Sequence, residues 1–167
     1  MWFWEKFNTK TKSKNSGLHD NIAKNLNISS EEEITKVACI SGLMARVAYA
    51  DFEIHEKEEE TMISSLEKWC EFSNDKCQNI AKLAISEIKD LAGLEDHMYA
   101  HPLVESSNQR ERFNLLKALF HIASVDGNVD SEETEVIRQI STALRLEHQH
   151  FIAARATVAE YLGALKN

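Results

Sequence analysis

The sequence predicts an all-α protein, a compact bundle of about seven helices built from two pseudo-symmetric helix-turn-helix repeats. Composition is the first reason, because five glycines and one proline in 167 residues are too few for the turns of a many-stranded sheet. The second reason is that apolar residues recur at helical spacing along most of the chain. The third is one acidic segment that occurs twice, 75 residues apart.

The duplicated segment covers residues 47–58 and returns as residues 122–133. In each copy an aliphatic residue follows an aspartate by three positions, and a glutamate follows the same aspartate by seven. We therefore expect two related units, at about residues 34–70 and 109–145. The matching positions are Asp51, Ile54 and Glu58 in the first copy and Asp126, Val129 and Glu133 in the second.

The first predicted helix of the repeat region has a clear start. Ser29 and Ser30 are followed by Glu32 and Glu33, a pattern that predicts a capped amino terminus. The apolar residues that follow keep helical spacing to about Asp51. This helix carries the chain into the first acidic turn.

Two more helices follow in the first half. One begins near Glu56, where several acidic residues complement the helix macrodipole, and the next begins at Ser73 or Asn74. A looser segment over residues 93–102 then separates the repeats, and Pro102 predicts a break.

The second half repeats this order. Ser107 or Asn108 caps a helix that leads to Asp126 and Gly127, a pair that predicts a turn. Helical spacing resumes over residues 136–144, and a last helix is predicted over residues 151–165.

Charge is unevenly distributed along the chain. The net charge is −8, but residues 1–28 hold five lysines against two acidic residues, which leaves −11 for the remainder. An acidic body argues against nucleic acid as a partner and favours cations or basic proteins. No apolar stretch approaches the ~18–20 residues of a transmembrane helix, so no membrane span is expected.

The amino-terminal segment, residues 1–28, is predicted to lie apart from a single helical domain at residues 29–167. It begins with four aromatic residues and then becomes rich in lysine, which is typical of a segment that binds a membrane interface or a partner groove. Packing of these aromatic residues on the domain is the alternative. The four are Trp2, Phe3, Trp4 and Phe7.

The acidic turns have two interpretations. In the second copy Asp130 and Glu133 have the spacing of a capping box, whereas His55 is a poor capping residue in the first copy, so capping explains Glu133 better than Glu58. Alternatively, two carboxylates from each copy form one shared anionic site for a hard cation. Asp126, Asn128 and Asp130 alternate like the start of an EF-hand loop. An EF-hand loop has its glycine at about position six and its glutamate at about position twelve. In this chain the glycine is second and the glutamate is eighth, so the segment is not an EF-hand.

An enzyme is not expected. The sequence has no Gly-rich phosphate loop, no HExxH and no Ser-His-Asp arrangement of recognisable spacing. Three cysteines without paired CxxC spacing indicate neither a zinc site nor a disulfide framework, and they fit a reducing compartment.

Residues 123–133 and the pattern after them resemble the TerB family of tellurite-resistance proteins. The resemblance rests on an alanine at a helix end, then Asp-Gly-x-aliphatic, then glutamate, and continues through Ile137, Arg138 and Ile140. It covers about residues 30–155 and the aromatic start. In the first repeat Phe52 replaces the glycine, which is expected to alter a turn that favours glycine.

The resemblance implies two internal helical repeats, a cytoplasmic role in stress or metal resistance, and an acidic surface that holds a divalent cation such as Ca²⁺, Mg²⁺ or Mn²⁺. Protein partners, some of them membrane-associated, and a peripheral position at the inner face of the membrane belong to the same expectation. The ligands that it assigns to this chain are Asp51, Glu58, Asp126 and Glu133, with Asn128 and Asp130 in second place.

The sequence therefore supports two alternative functions. The first is a non-enzymatic TerB-like protein of tellurite resistance and stress response that binds a divalent cation through its paired acidic turns and acts in a protein complex. The second is a metal-free helical adaptor that recruits a membrane or a protein through residues 1–28.

Overall fold

The computed structural model describes residues 17–28, 30–91 and 96–165, and these residues form eight helices and no strand. The predicted all-α class is confirmed. None of the described helices is long and apolar enough to cross a lipid bilayer. In chain order the helices are α1 (Leu18–Asn25), α2 (Glu31–Ala48), α3 (Glu56–Cys70), α4 (Asn74–Leu91), α5 (Asp96–Ser106), α6 (Gln109–Ser124), α7 (Ser131–Ala143) and α8 (His148–Leu165).

Helix α1 was not predicted. Leu18 and Ile22 lie four positions apart on one face of the helix, and both are buried against the core. The later part of the predicted amino-terminal segment therefore packs with the bundle, while its aromatic residues lie outside the described residues. The domain boundary at residue 28 stays a prediction.

Helix α5 corrects the prediction of a looser segment that ends at Pro102. The proline lies inside the helix, where its missing N–H and its ring cost about 3 kcal/mol. Tyr99, Ala100 and Leu103 are buried on the same helix, and burial of a large apolar side chain contributes about 1.5–3 kcal/mol. Packing therefore outweighs the local preference of proline.

Helix α2 is the centre of the fold. It packs against α1, α3, α4, α5, α6 and α7, and most of its side chains after Glu33 are buried. Gly42 permits the closest of these contacts, because a Cβ atom there would lie 2.7 Å from the Tyr99 ring of α5. The other elements are arranged around this helix.

The two predicted helix-turn-helix units correspond to α2–α3 and α6–α7. Their predicted starts are confirmed at Ser30 and Asn108, whose side chains accept the backbone N–H three residues later, at 3.4 and 2.9 Å. Helix α2 contacts both α6 and α7, so the two units share one core. The pseudo-symmetry between them stays a prediction.

The two acidic turns have the same backbone design. Phe52 and Gly127 both have positive φ, 66° and 96°, and each donates its N–H to the carbonyl three residues earlier at 3.0 Å. Asp51 and Asp126 each accept the N–H two residues later at 3.1 Å. Phe52 therefore does not alter these hydrogen bonds, contrary to expectation, although the left-handed conformation costs a non-glycine residue about 1–2 kcal/mol.

Replacing Phe52 should test this strain directly. Phe52→Gly should have a free energy of unfolding about 1 kcal/mol higher than Phe52→Ala, because only alanine keeps a Cβ atom in the left-handed region. Gly127→Ala should lower stability by a similar amount, since its φ lies farther from the region that side chains tolerate. Urea unfolding of the three variants and the wild type measures these differences, and equal stability of the glycine and alanine variants at residue 52 would contradict them.

Candidate functional site

The structure brings Glu58 and Glu133 together, although 75 residues separate them in the chain. Both side chains are buried, at 1% and 5% exposure, and a hydrogen bond joins the two carboxyl groups. The glutamates lie in the first turns of α3 and α7. The predicted meeting of the two repeats at their acidic turns is therefore present for this pair.

Each glutamate is held in place by its own helix cap. One oxygen of Glu58 accepts the backbone N–H of His55 at 2.9 Å, and one oxygen of Glu133 accepts that of Asp130 at the same distance. The two carboxyl groups that cap α3 and α7 are thus the same groups that contact each other.

The cap at His55 corrects part of the sequence interpretation. We expected no capping box in the first copy, yet Glu58 makes the same backward bond as Glu133. The structure places a capping box in both copies. In the second copy Asp130 accepts the N–H of Glu133 at 2.8 Å. In the first copy the His55 side chain faces the Glu58 N–H, which also donates to the His55 carbonyl at 3.0 Å. A histidine therefore serves at the cap position of the first copy.

The pair holds a proton at neutral pH. Burial raises the pKa of Glu133 to about 9, and the hydrogen bond to Glu58 and the charges of Asp130 and Glu58 act in the same direction. Burial also raises the pKa of Glu58, with a further contribution from Asp126, while its hydrogen bonds to His55 and Glu133 oppose the shift. Because burial raises the pKa of both groups, the pair keeps one proton, which lies in the hydrogen bond between the two carboxyl groups.

The predicted aspartates lie at the edge of this pair. Asp126 is exposed and close enough for its charge to act on Glu58. Asp51 is half-buried in the first turn and accepts the N–H of Glu53. Of the four predicted ligands, two are in contact and a third is near them.

The second-place ligands are engaged in the local structure of the second turn. Asn128 is exposed and donates its backbone N–H to Asp126, and Asp130 caps α7. Within residues 17–28, 30–91 and 96–165, no three or more His, Cys, Asp or Glu side chains are arranged to hold a metal ion. The Glu58–Glu133 pair and the nearby Asp126 therefore supply the only predicted carboxyl groups that the described structure gathers.

One buried carboxyl group was missed by the sequence interpretation. Glu87 of α4 is 8% exposed, and one of its oxygens has no hydrogen-bond partner among the described residues. Burial, followed by the charge of Asp90, raises its pKa. This oxygen lies 3.5 Å from the position that a Cβ of Gly17 would occupy. Its sequence surroundings resemble those of any solvated helical glutamate, so periodicity gave no signal.

Comparison with known proteins supplies one match. The family described as tellurite resistance protein TerB has a sequence model that matches residues 36–156, which includes both acidic turns. No curated protein and no solved structure matches the chain.

The protonated pair predicts a specific pH dependence of stability. A carboxyl group whose pKa rises from 4.5 to about 9 on folding keeps a proton that the unfolded chain releases. Stability should therefore fall as pH rises between these values, by at most about 1.4 kcal/mol per pH unit. Glu133→Gln removes the titrating group and keeps an oxygen for the cap, so it should flatten this dependence.

Glu111→Gln is the matched control, because Glu111 occupies the same cap position in α6 but is exposed. It should keep the wild-type slope. Urea unfolding at pH 5 to 9 measures all three proteins, and an unchanged slope in Glu133→Gln would show that the pair does not hold the proton.

Proposed function

Because the chain belongs to the TerB family of tellurite resistance proteins, we propose that it is a non-enzymatic stress-response protein that binds a divalent cation between its acidic turns. The observation that carries this proposal is the contact between Glu58 and Glu133. Two buried carboxyl groups from the two helix-turn-helix units face each other, and one proton holds them together. We further propose that the protein acts in a complex with other proteins.

A cation can replace the proton of this pair. Deprotonation of Glu133 leaves two adjacent carboxylates that repel each other, and a hard divalent ion offsets this repulsion while it accepts their oxygens. Asp126, whose charge acts on Glu58, and Asp51, in the turn that precedes α3, are the proposed additional ligands. Backbone carbonyls and water complete such sites in other proteins. Ca²⁺, Mg²⁺ and Mn²⁺ all suit an all-oxygen set.

Thermal unfolding tests the cation site. The melting temperature of the wild type in Ca²⁺, Mg²⁺, Mn²⁺ or Zn²⁺ should exceed that in chelator, because a ligand at one hundred times its Kd adds about 2.7 kcal/mol of stability. For a chain of this size, that corresponds to roughly 5–10 °C. The shift should be larger at pH 8 than at pH 6, since protons compete for the same oxygens.

Two variants separate specific binding from general charge screening. Glu133→Gln should lose most of the cation-dependent shift, and Glu111→Gln, with the same change at an exposed cap, should keep it. An identical melting temperature in chelator and in every cation would overturn the cation site.

A metal-free adaptor is the second candidate, and it is favoured by the absence of any grouping of three metal-binding side chains in the part of the chain that the structure describes. In this case the acidic turns are caps and solubilising charge, and the aromatic and lysine residues of the amino terminus recruit the partner. Residues 17–28 belong to the packed bundle through Leu18 and Ile22. A deletion that tests the adaptor should therefore remove residues 1–16 only.

The deletion should abolish binding to vesicles of phosphatidylethanolamine and phosphatidylglycerol if the adaptor proposal holds. Trp2→Ala with Trp4→Ala, which keeps every lysine, should weaken binding strongly, since interfacial aromatic residues contribute to anchoring. Sedimentation of the vesicles with bound protein measures both. Equal binding by the deletion variant and the full chain would reject recruitment of a membrane by this segment.

A further inference from the structure

Phe52 is an exposed aromatic side chain that the fold does not need. It is 67% exposed, more than the other exposed large hydrophobic residue of the described chain, Ile152 at 49%. Its ring makes an edge contact with Tyr49, with 5.6 Å between the ring centroids. The matching turn of the second unit makes the same hydrogen bonds with Gly127, so the ring is not required for the turn.

The chemistry around Phe52 is acidic. Asp51 and Glu53 flank it in sequence, and Glu53 is exposed. The turn thus presents one aromatic ring between two carboxylates, at the end of the bundle where α2 stops. Aromatic side chains are enriched at protein–protein interfaces, where they act as anchors that fill a partner's pocket.

A cavity with the complementary chemistry lies elsewhere on the same chain. It is formed where α2, α3, α5 and α6 meet, and its volume is about 200 Å³. Sites for small molecules usually measure ~300–1,000 Å³, so this cavity matches the size of a single large side chain. Its apolar lining comes from Ile40, Trp69, Leu103 and Leu115.

Two cationic side chains also line the cavity. Lys36 is exposed, and Arg112 is half-buried with one nitrogen bound to the Leu144 carbonyl at 2.8 Å. The acidic residue of the lining, Glu111, already accepts the N–H of Asn108 at 2.9 Å. The cavity therefore offers an apolar interior with positive charge beside it, on a protein that is otherwise acidic.

We propose that Phe52 of one molecule docks into the cavity beside Trp69 of a second copy of this chain, with Asp51 and Glu53 placed near Lys36 and Arg112. The size of the cavity matches one aromatic side chain, and the charges on the two surfaces are opposite. Tryptophan and arginine are among the residues enriched at interface hot spots, which tend to pair with hot spots of the partner.

The geometry of α2 requires a second molecule. Lys36 lies twelve residues before the end of α2 at Ala48, a separation of about 18 Å along the helix axis, and Phe52 lies beyond that end. A chain therefore does not reach its own cavity with its own Phe52. The contact joins two different surfaces, so it is heterologous and continues from molecule to molecule in a head-to-tail manner.

This association does not depend on the proposed cation site. It uses neither Glu58 nor Glu133, and the one residue that the two proposals share, Asp51, contributes only peripheral charge here, so the association should persist in chelator. One aromatic anchor with a few charged contacts places it among small, weak interfaces. It should weaken as ionic strength rises, because Lys36 and Glu53 are exposed.

Sedimentation velocity in chelator, from about 10 μM to 1 mM, tests the proposal on the full chain. The weight-average mass of the wild type should rise with concentration. Phe52→Ala removes the anchor and Ser107→Trp fills the cavity from the end of α5, so each variant alone should remain monomeric, with an association constant reduced at least roughly tenfold.

Mixing the two variants gives the decisive result. Phe52→Ala keeps an open cavity and Ser107→Trp keeps its Phe52, so an equimolar mixture should form a one-to-one complex that does not grow further. A mixture that stays monomeric would overturn the proposal. Self-association of Phe52→Ala at the wild-type level would do the same, because the cavity would then hold a different segment or have no role.

A charge variant covers the case in which Ser107→Trp fails to fold. Lys36→Glu should reduce association roughly tenfold or more. Lys82→Glu should not, because Lys82 is an exposed residue of α4 that does not line the cavity, although the substitution changes the net charge by the same amount. Equal effects of the two lysine variants would show that only net charge matters and would overturn docking at this cavity. A wild type that remains monomeric throughout the concentration range would also overturn it.

Discussion

The burial of helix α2 on nearly every side is the constraint on which the rest of the structure depends. This helix leads into the first acidic turn, and it packs against both helices of the second unit, so it fixes where the second acidic turn lies. Gly42 shows how little freedom is left, because even a methyl group there would meet the ring of Tyr99. The close packing of α2 thus brings carboxyl groups together that repulsion alone would separate.

In the carboxyl pair that results, the groups that cap two helices are also the groups that share a proton. Glu58 and Glu133 each close the first turn of a helix, which is an ordinary role for a glutamate at this position. Their burial against each other adds a shared proton, which an exposed cap such as Glu111 lacks. A buried pair of this kind costs stability at high pH, and such sites are often retained for binding or regulation.

Much of the fold could be predicted from the sequence because its signals are local. The caps at Ser30, Asn108 and Asp130 and the spacing of the apolar residues identify six of the eight described helices. Helix α5 could not be predicted in this way, since Pro102 is a local signal for a break and only the tertiary burial of Tyr99 and Leu103 overrides it. The duplication pointed to Glu58 and Glu133 as partners. It did not reveal that the pair holds a proton or that Glu87 is buried, because both depend on burial in three dimensions.

The backward bonds of the two caps have one more consequence. The oxygen atoms that receive the amides of His55 and Asp130 belong to the same carboxyl groups that share the proton. A change in the protonation of the pair therefore affects the first turns of α3 and α7 together, because both cap bonds, each 2.9 Å long, end on carboxyl groups of the pair. The starts of two helices that are distant in sequence are mechanically linked through a single hydrogen atom.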